Sequence, residues 1–361
     1  MKQTITDLYS RHYAPFIKEN YLQDEAILRT LYQKTWFSIF MFLLLAMPLF
    51  LNEYYVFFLT LIFIAIIAGH GLNILLGYTG QISLGHAAFL GVGGYTYAYL
   101  VMVLHWPFLV GVLASGFVAS GLGLVIGIPS LRIKGIYLGI ATLAFQFIMD
   151  YTYFHWKGFS GGSQGRLVEA PNIFGVAITS KIGFYYICLI FMVILLLGAK
   201  NLMRSKYGRC LMAVRDNDIS AEAVGVPVFK YKLLAFVVSS FYAGVAGSLF
   251  VIHMRNVYPE FFHFNVSIEY LALIVVGGMG SVIGSIFGAI FIVFIPEVLT
   301  NVIRVIAQII NDPELTIYGA PIRLMVHGFL IIFFIMIEPG GLAGIWRKIS
   351  SYWKIWPLPY I

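Results

Sequence analysis

Charge is scarce in this sequence. Asp, Glu, Lys and Arg make up 11% of its 361 residues, against about 25% in soluble domains. That scarcity excludes an ordinary soluble enzyme and a disordered chain. Cysteine is scarcer still: Cys188 lies in an apolar run and Cys210 in a basic loop. Two such residues, with no Cys-x-x-Cys, make neither a disulfide framework nor a thiolate metal site. The eight histidines form no His-x-x-x-His pair. No Gly-x-x-x-x-Gly-Lys-[Ser/Thr] loop occurs, so the chain carries no ATP site of the usual kind and no cofactor of its own. A membrane-embedded enzyme would need paired carboxylates, clustered ligands or an activated nucleophile, and the sequence offers none.

Apolar residues fill the space that charge leaves. They reach 60% of the chain, with 36 glycines. Nine long runs contain no Asp, Glu, Lys or Arg: Thr35–Leu51, Tyr54–Gly77, Ile82–Leu104, Pro107–Leu131, Gly135–Met149, Ile182–Ala199, Leu233–Ile252, Tyr270–Pro296 and Leu324–Ile337. Runs near 18 residues are read as membrane-spanning helices. Their lack of carboxylates argues against an ion-coupled secondary transporter, which needs ionisable residues at membrane depth.

Tyr270–Pro296 holds 27 residues, about 40 Å as one helix, where a crossing needs about 30 Å. Gly277-Gly278-Met279-Gly280 near its start is a natural break. We therefore expect two short, tilted segments joined near Gly278. The fold class expected is an all-α polytopic bundle of about ten membrane segments; a single crossing there would leave eight or nine.

The basic residues fix the orientation. With the N-terminus in the cytoplasm, 17 of the 23 Lys and Arg fall on inside segments, as the positive-inside rule requires. The six outside are Lys157, Arg166, Lys181, Arg255, Arg304 and Arg323. The net charge of +7 thus reads as membrane topology and lipid contact rather than nucleic-acid binding. The domain reading is a polar cytoplasmic segment 1–34 with no cleavable signal, a membrane domain 35–338 containing the loop 200–232, and a cytoplasmic tail 339–361.

Two stretches break the apolar pattern. Gly71–His86 places Asn73, Thr79, Gln81, Ser83 and His86 among apolar residues. Its glycine-rich counterpart, with Gly278 and Gly280, lies about 200 residues later. Broken apolar segments at matching places point to a translocation pathway, and non-helical backbone at that depth must be buried or face water. Asn73, Gln81, Ser83, His86, Gly278 and Gly280 are the pathway candidates. His70, His86 and His327 read as structural histidines, since no carboxylate or second histidine lies three or four residues away. Glycines four apart, as in Gly123/Gly127, Gly135/Gly139 and Gly280/Gly284/Gly288, share a helix face and allow close packing.

Residues 200–232 are the one long polar segment inside. Asp218 is a natural N-cap, Ile219–Val224 a short helix, Gly225 its C′ residue and Pro227 its stop. So short a helix has no stability alone. It lies on its own bundle or docks on a partner, and spacing does not separate the two.

These residues together resemble a known family. Gly-Gln-Ile-Ser-Leu-Gly-His-Ala-Ala-Phe89, Leu131-Arg-Ile-Lys-Gly-Ile-Tyr-Leu-Gly-Ile-Ala-Thr-Leu143, Ser160-Gly-Gly-Ser-Gln-Gly165, Tyr207-Gly-Arg-Cys-Leu-Met-Ala-Val-Arg-Asp-Asn-Asp218, Ala221-Glu-Ala-Val-Gly-Val226, Tyr231-Lys-Leu-Leu-Ala-Phe236, Gly277-Gly-Met-Gly-Ser281 and Glu338-Pro-Gly-Gly-Leu342 are similar, in order, to motifs of permease subunits of high-affinity, binding-protein-dependent branched-chain amino-acid ABC importers. The resemblance covers roughly residues 55–345. It implies a bacterial inner-membrane permease with both termini cytoplasmic. It also implies a second related permease subunit, two cytoplasmic ATPase subunits that bind the ATP, and a periplasmic or lipid-anchored solute-binding protein. Arg209, Arg215, Asp218, Glu222, Ala223 and Gly225 would then form the ATPase-coupling loop. Relatives of the same architecture carry urea, short amides or sugars, and the pore motifs do not separate these solutes. The topology is testable: reporter fusions at Gly162 and Ser205 should report opposite compartments, and a shared compartment overturns it.

Overall fold

The computed structural model describes residues 31–131, 136–173, 176–310, 319–338 and 340–355. Most of the polar N-terminal segment, the motif residues 132–135 and the last six residues lie outside that range. The chain divides into two compact units, 1–56 and 57–361. In the first, α1 (Leu31–Phe50) exposes Phe42, Leu49 and Phe50.

The second unit begins within α2 (Glu53–Leu72), which runs on as one π-helical turn, Asn73–Gly77. Then follow α3 (His86–Met102), α4 (Phe108–Ser130), α5 (Ile136–His155) and the single turn α6 (Lys157–Ser160). The long helix α7 (Lys181–Arg204) leads into two short ones, α8 (Lys206–Asp216) and α9 (Asp218–Ala223). The chain closes with α10 (Val228–Met254), α11 (Phe264–Gly277), α12 (Val282–Ile310), α13 (Gly319–Ile337) and α14 (Gly341–Ile355). Two-residue strands join the segment after α6 to the end of α10, Arg166–Leu167 pairing antiparallel with Asn256–Val257.

Among the described residues, six helical stretches are long and apolar enough to cross a membrane: Glu53–Gly77, Phe108–Ser130, Lys181–Arg204, Val228–Met254, Pro259–Gly277 and Val282–Ile310. The protein is therefore all-α and built for a membrane. Two expectations change in detail. The run from Ile82 is helical only from His86, because the segment before it is irregular. The break near Gly278 is present, but its second arm is not short: α12 continues through Pro296 for 29 residues, about 44 Å.

The core is the trio α3, α4 and α10, packed along one another. Lipid gives such helices no hydrophobic reason to associate, so close packing and buried hydrogen bonds must hold them. Helix α3 is buried over 13 of its 17 residues. A Cβ on Gly247 of α10 would strike the Leu90 carbonyl of α3. One on Gly244 would stand 2.6 Å from Ala119 Cβ and 2.7 Å from the Ser115 carbonyl of α4. These helices meet backbone to backbone. Part of the four-residue glycine spacing corresponds to close packing. Gly123 and Gly127 both face α10, and Gly284 and Gly288 both face α11. Gly280 lies in the break itself, outside the ladder, and Gly135 falls outside the described residues.

Gly247→Val should destabilise the protein by about 3 kcal/mol, the upper range for overpacking, because the obstructing atoms are backbone. Gly121→Val on α4 faces open space and should leave the melting temperature nearly unchanged. Thermal melts of the purified variants compare the two.

Candidate functional site

The two broken segments meet. Asn73 starts the π turn at the end of α2, where its side chain is buried. Its Nδ2 donates to the Ser281 carbonyl at 2.8 Å and to Ser285 Oγ at 2.9 Å. Its Oδ1 accepts the Gly280 N–H at 2.9 Å. One carboxamide thus answers three polar groups on a segment 207 residues away. Gly278 (φ 117°) and Gly280 (φ 70°) give the facing segment its turn, at values that L side chains rarely adopt.

The chain between Gly77 and His86 is held from several sides. Thr79 Oγ1 donates to the Ile74 carbonyl at 2.9 Å. Gln81 Nε2 donates to the Lys232 carbonyl at 3.1 Å. The Leu84 N–H reaches Thr142 Oγ1 at 2.9 Å. Ser83 and His86 are buried, and His86 Nε2 lies 3.1 Å from the Ala68 carbonyl. Helix α3 therefore begins inside the protein, where its first N–H groups have no helical partner. Ala87 N–H finds Ser267 Oγ at 2.9 Å, and Ala88 N–H finds Gln146 Oε1 at 2.8 Å. Gln146 Nε2 also donates to the Phe262 carbonyl at 2.7 Å and to Asp150 at 2.9 Å. Gln146 and Ser267 are not among the candidates read from the sequence, and Thr142 is there only as part of the motif 131–143; the available signal was an isolated glutamine inside the apolar run Gly135–Met149.

The loop 200–232 folds as two helices. Helix α8 is capped by Ser205, whose Oγ accepts the Gly208 N–H, and it buries Gly208, Leu211 and Val214 at three-residue spacing. Arg209 is exposed and bonds the Arg204 carbonyl. Helix α9 is capped by Asn217, whose Oδ1 accepts the Ser220 N–H at 2.9 Å. Asp218 was the expected cap; it sits instead in the first turn, where its charge favours the helix N-terminus, and pairs with Lys232 at 3.3 Å. Gly225 has φ 84°, the left-handed C′ expected of it. Only Ala221 of α9 is buried. Glu222, Ala223 and Gly225 are exposed, and Ile219 and Val224 are 72% and 79% exposed.

Arg215 joins the loop to the breaks. Its Nη1 donates to the Gly77 carbonyl at 3.1 Å, and its Nε and Nη2 hold Asp216. Beside it opens a cavity of about 470 Å³, bounded by residues 79–82, by Arg215–Ile219 of the loop, and by Lys232. Gln81 is the one pathway candidate that lines it. Asn73, Gly278 and Gly280 lie at the junction of the two breaks, Ser83 and His86 are buried at the start of α3, and none of the five lines the cavity.

Asn73→Leu removes three hydrogen bonds worth about 1 kcal/mol each and leaves buried partners unpaired. A loss of about 3 kcal/mol or more is expected in chemical or thermal unfolding, against about 1 kcal/mol for Ser285→Ala. A double-mutant cycle should show the two strongly coupled.

Comparison with known proteins agrees with this architecture. The family model described as "branched-chain amino acid transport system / permease component" matches residues 54–335. The high-affinity branched-chain amino acid transport system permease protein LivM of Escherichia coli K12 is 31% identical over 296 residues, covering 75% of this chain and 70% of that protein. A probable branched-chain amino acid transport permease protein LivH of Methanocaldococcus jannaschii is 28% identical, covering 53% of this chain and 57% of its own length. An autoinducer 2 import system permease protein LsrC of an Enterobacter strain is 31% identical, covering 53% of each. With that family model matched from residue 54 to residue 335, the chain belongs to the family of branched-chain amino acid transport permease components.

Proposed function

We propose that this chain is one of two membrane subunits of an ATP-driven importer and lines, with a second related permease subunit, the path of branched-chain amino acids into the cell. The observation that carries the reading is the outward face of α9. Ala221 and the Asp218–Lys232 pair hold the helix from behind, while Ile219, Ala223 and Val224 face out. A six-residue helix that shows apolar side chains to water gains its stability by docking. The fitting occupant is a groove on a cytoplasmic ATPase, with two such subunits hydrolysing the ATP. This chain then contributes no catalysis of its own.

Arg215 would relay movement of that loop to the Gly77 carbonyl, and Asn73 would relay it onward to Gly280. In this scheme Arg209, Arg215, Asp218, Glu222, Ala223 and Gly225 serve coupling. Gln81, Ser83, His86, Asn73, Gly278 and Gly280 frame the pathway. Adding α1 from Lys34, α3, α5 and α13 to the six long spans gives ten membrane segments, with both termini in the cytoplasm of a bacterial inner membrane. A periplasmic or lipid-anchored binding protein would deliver the solute. Branched-chain amino acids are favoured because the relative named for them matches three quarters of the chain, whereas the autoinducer relative matches about half.

Gly225→Glu places a side chain at φ 84° with no neighbour within 4 Å, so it perturbs the helix end without a clash in the bundle. The variant should insert normally, lose the co-purifying ATPase and cut leucine uptake at least about tenfold. Normal co-purification with normal uptake overturns the coupling role.

A further inference from the structure

The cavity under Gln81 has walls of two kinds. Ile82, Leu131, Leu138 and Val214 form an apolar side, the last three buried. Arg215, Asp216, Asp218 and Lys232 form a polar side with two positive and two negative charges. The formal charge of that wall is zero, which suits neither an anion such as a phosphate nor a metal cation. Between the two sides stands Gln81, 3% exposed. Its Nε2 is used by the Lys232 carbonyl, but its Oε1 is buried with no partner among the described residues. Native proteins rarely leave a buried carboxamide oxygen unanswered. The volume, about 470 Å³, lies within the roughly 300–1,000 Å³ of small-molecule sites.

We propose that this cavity is a binding site for a zwitterionic aliphatic amino acid at the cytoplasmic mouth of the permease. Gln81 Oε1 accepts a hydrogen bond from the α-ammonium, with Asp218 alongside. The carboxylate lies toward Arg215 and Lys232. The aliphatic side chain packs on Ile82, Leu138 and Val214. The site lies between the irregular segment 79–82 and the start of α9, so an occupant touches both the pathway and the loop that meets the ATPase. The proposal rests on the importer reading for its orientation and solute class.

The test titrates the full-length chain in lipid nanodiscs with L-leucine, following calorimetric heat and thermal stability. Isoamylamine, which lacks the carboxylate, and 4-methylpentanoate, which lacks the ammonium, are titrated beside it. Leucine uptake by the whole importer is measured in parallel. Leucine should bind the wild-type chain, and both half-ligands at least about tenfold more weakly. Gln81→Leu, which removes the acceptor, should weaken leucine about tenfold, the loss expected of one hydrogen bond to a charged group. Ile82→Trp fills the cavity from its half-exposed rim without touching Gln81, and should weaken leucine as much. Uptake of leucine with no binding to the wild-type chain overturns the site and leaves the importer reading intact. So does wild-type binding that both variants retain, or isoamylamine binding as well as leucine. Absence of leucine uptake by the importer counts against the importer reading, while zwitterion binding lost in both variants still supports the site.

Discussion

A backbone that leaves the helix inside a membrane must find its hydrogen bonds within the protein, and the Asn73 carboxamide is where this chain meets that demand. Lipid supplies no donors or acceptors. Asn73 offers two donors and an acceptor, and the Gly278–Ser285 segment uses all of them. The irregular stretch 78–85 can exist because α2 ends on a residue that ties the opposite break. Substituting an apolar residue would strip partners from groups on both sides at once. The second break is therefore a counterpart of the first in bonding as well as in position.

The same demand explains the polar residues around the start of α3. Its first N–H groups point into the interior, and Ser267 and Gln146 answer them from α11 and α5. Just before the irregular segment, the Gly77 carbonyl is tied to α8 through Arg215, and within it Gln81 is tied to the start of α10 through the Lys232 carbonyl. The C-terminal half is tied to α5 through Thr142. Residues 77–84 thus connect the loop 200–232 to the interior of the bundle by hydrogen bonds.

Much of this was legible in the residues. Uncharged runs of helical length pointed to the membrane class, the left-handed Gly225 followed from a glycine beside a terminating sequence, and the break at Gly278 followed from the glycine cluster there. The short helix of the loop was visible from its cap region and stop, off by one residue because Asn217 and Asp218 are both able caps. What could not be read was partnership. Asn73 and Gly280 were each marked as unusual, but nothing in a linear sequence pairs residues two hundred apart. Arg215 looked like one basic residue among seven, since its bond is to a carbonyl, which every residue has. The length of α12 was misjudged because the uncharged run ends before Glu297, whereas the helix carries on through Glu297 and Arg304 to Ile310.

The distance in sequence between the two halves of the junction also sets a clock. Asn73 emerges from the ribosome long before Gly280, and at about 5–20 residues per second the 207 intervening residues take roughly 10–40 s to make. Throughout that interval the first broken segment has no answering strand of backbone. It must wait at the translocon, in contact with water, or in the hands of a chaperone. The early helices can therefore enter the bilayer in order, but the membrane domain closes only when its last third arrives.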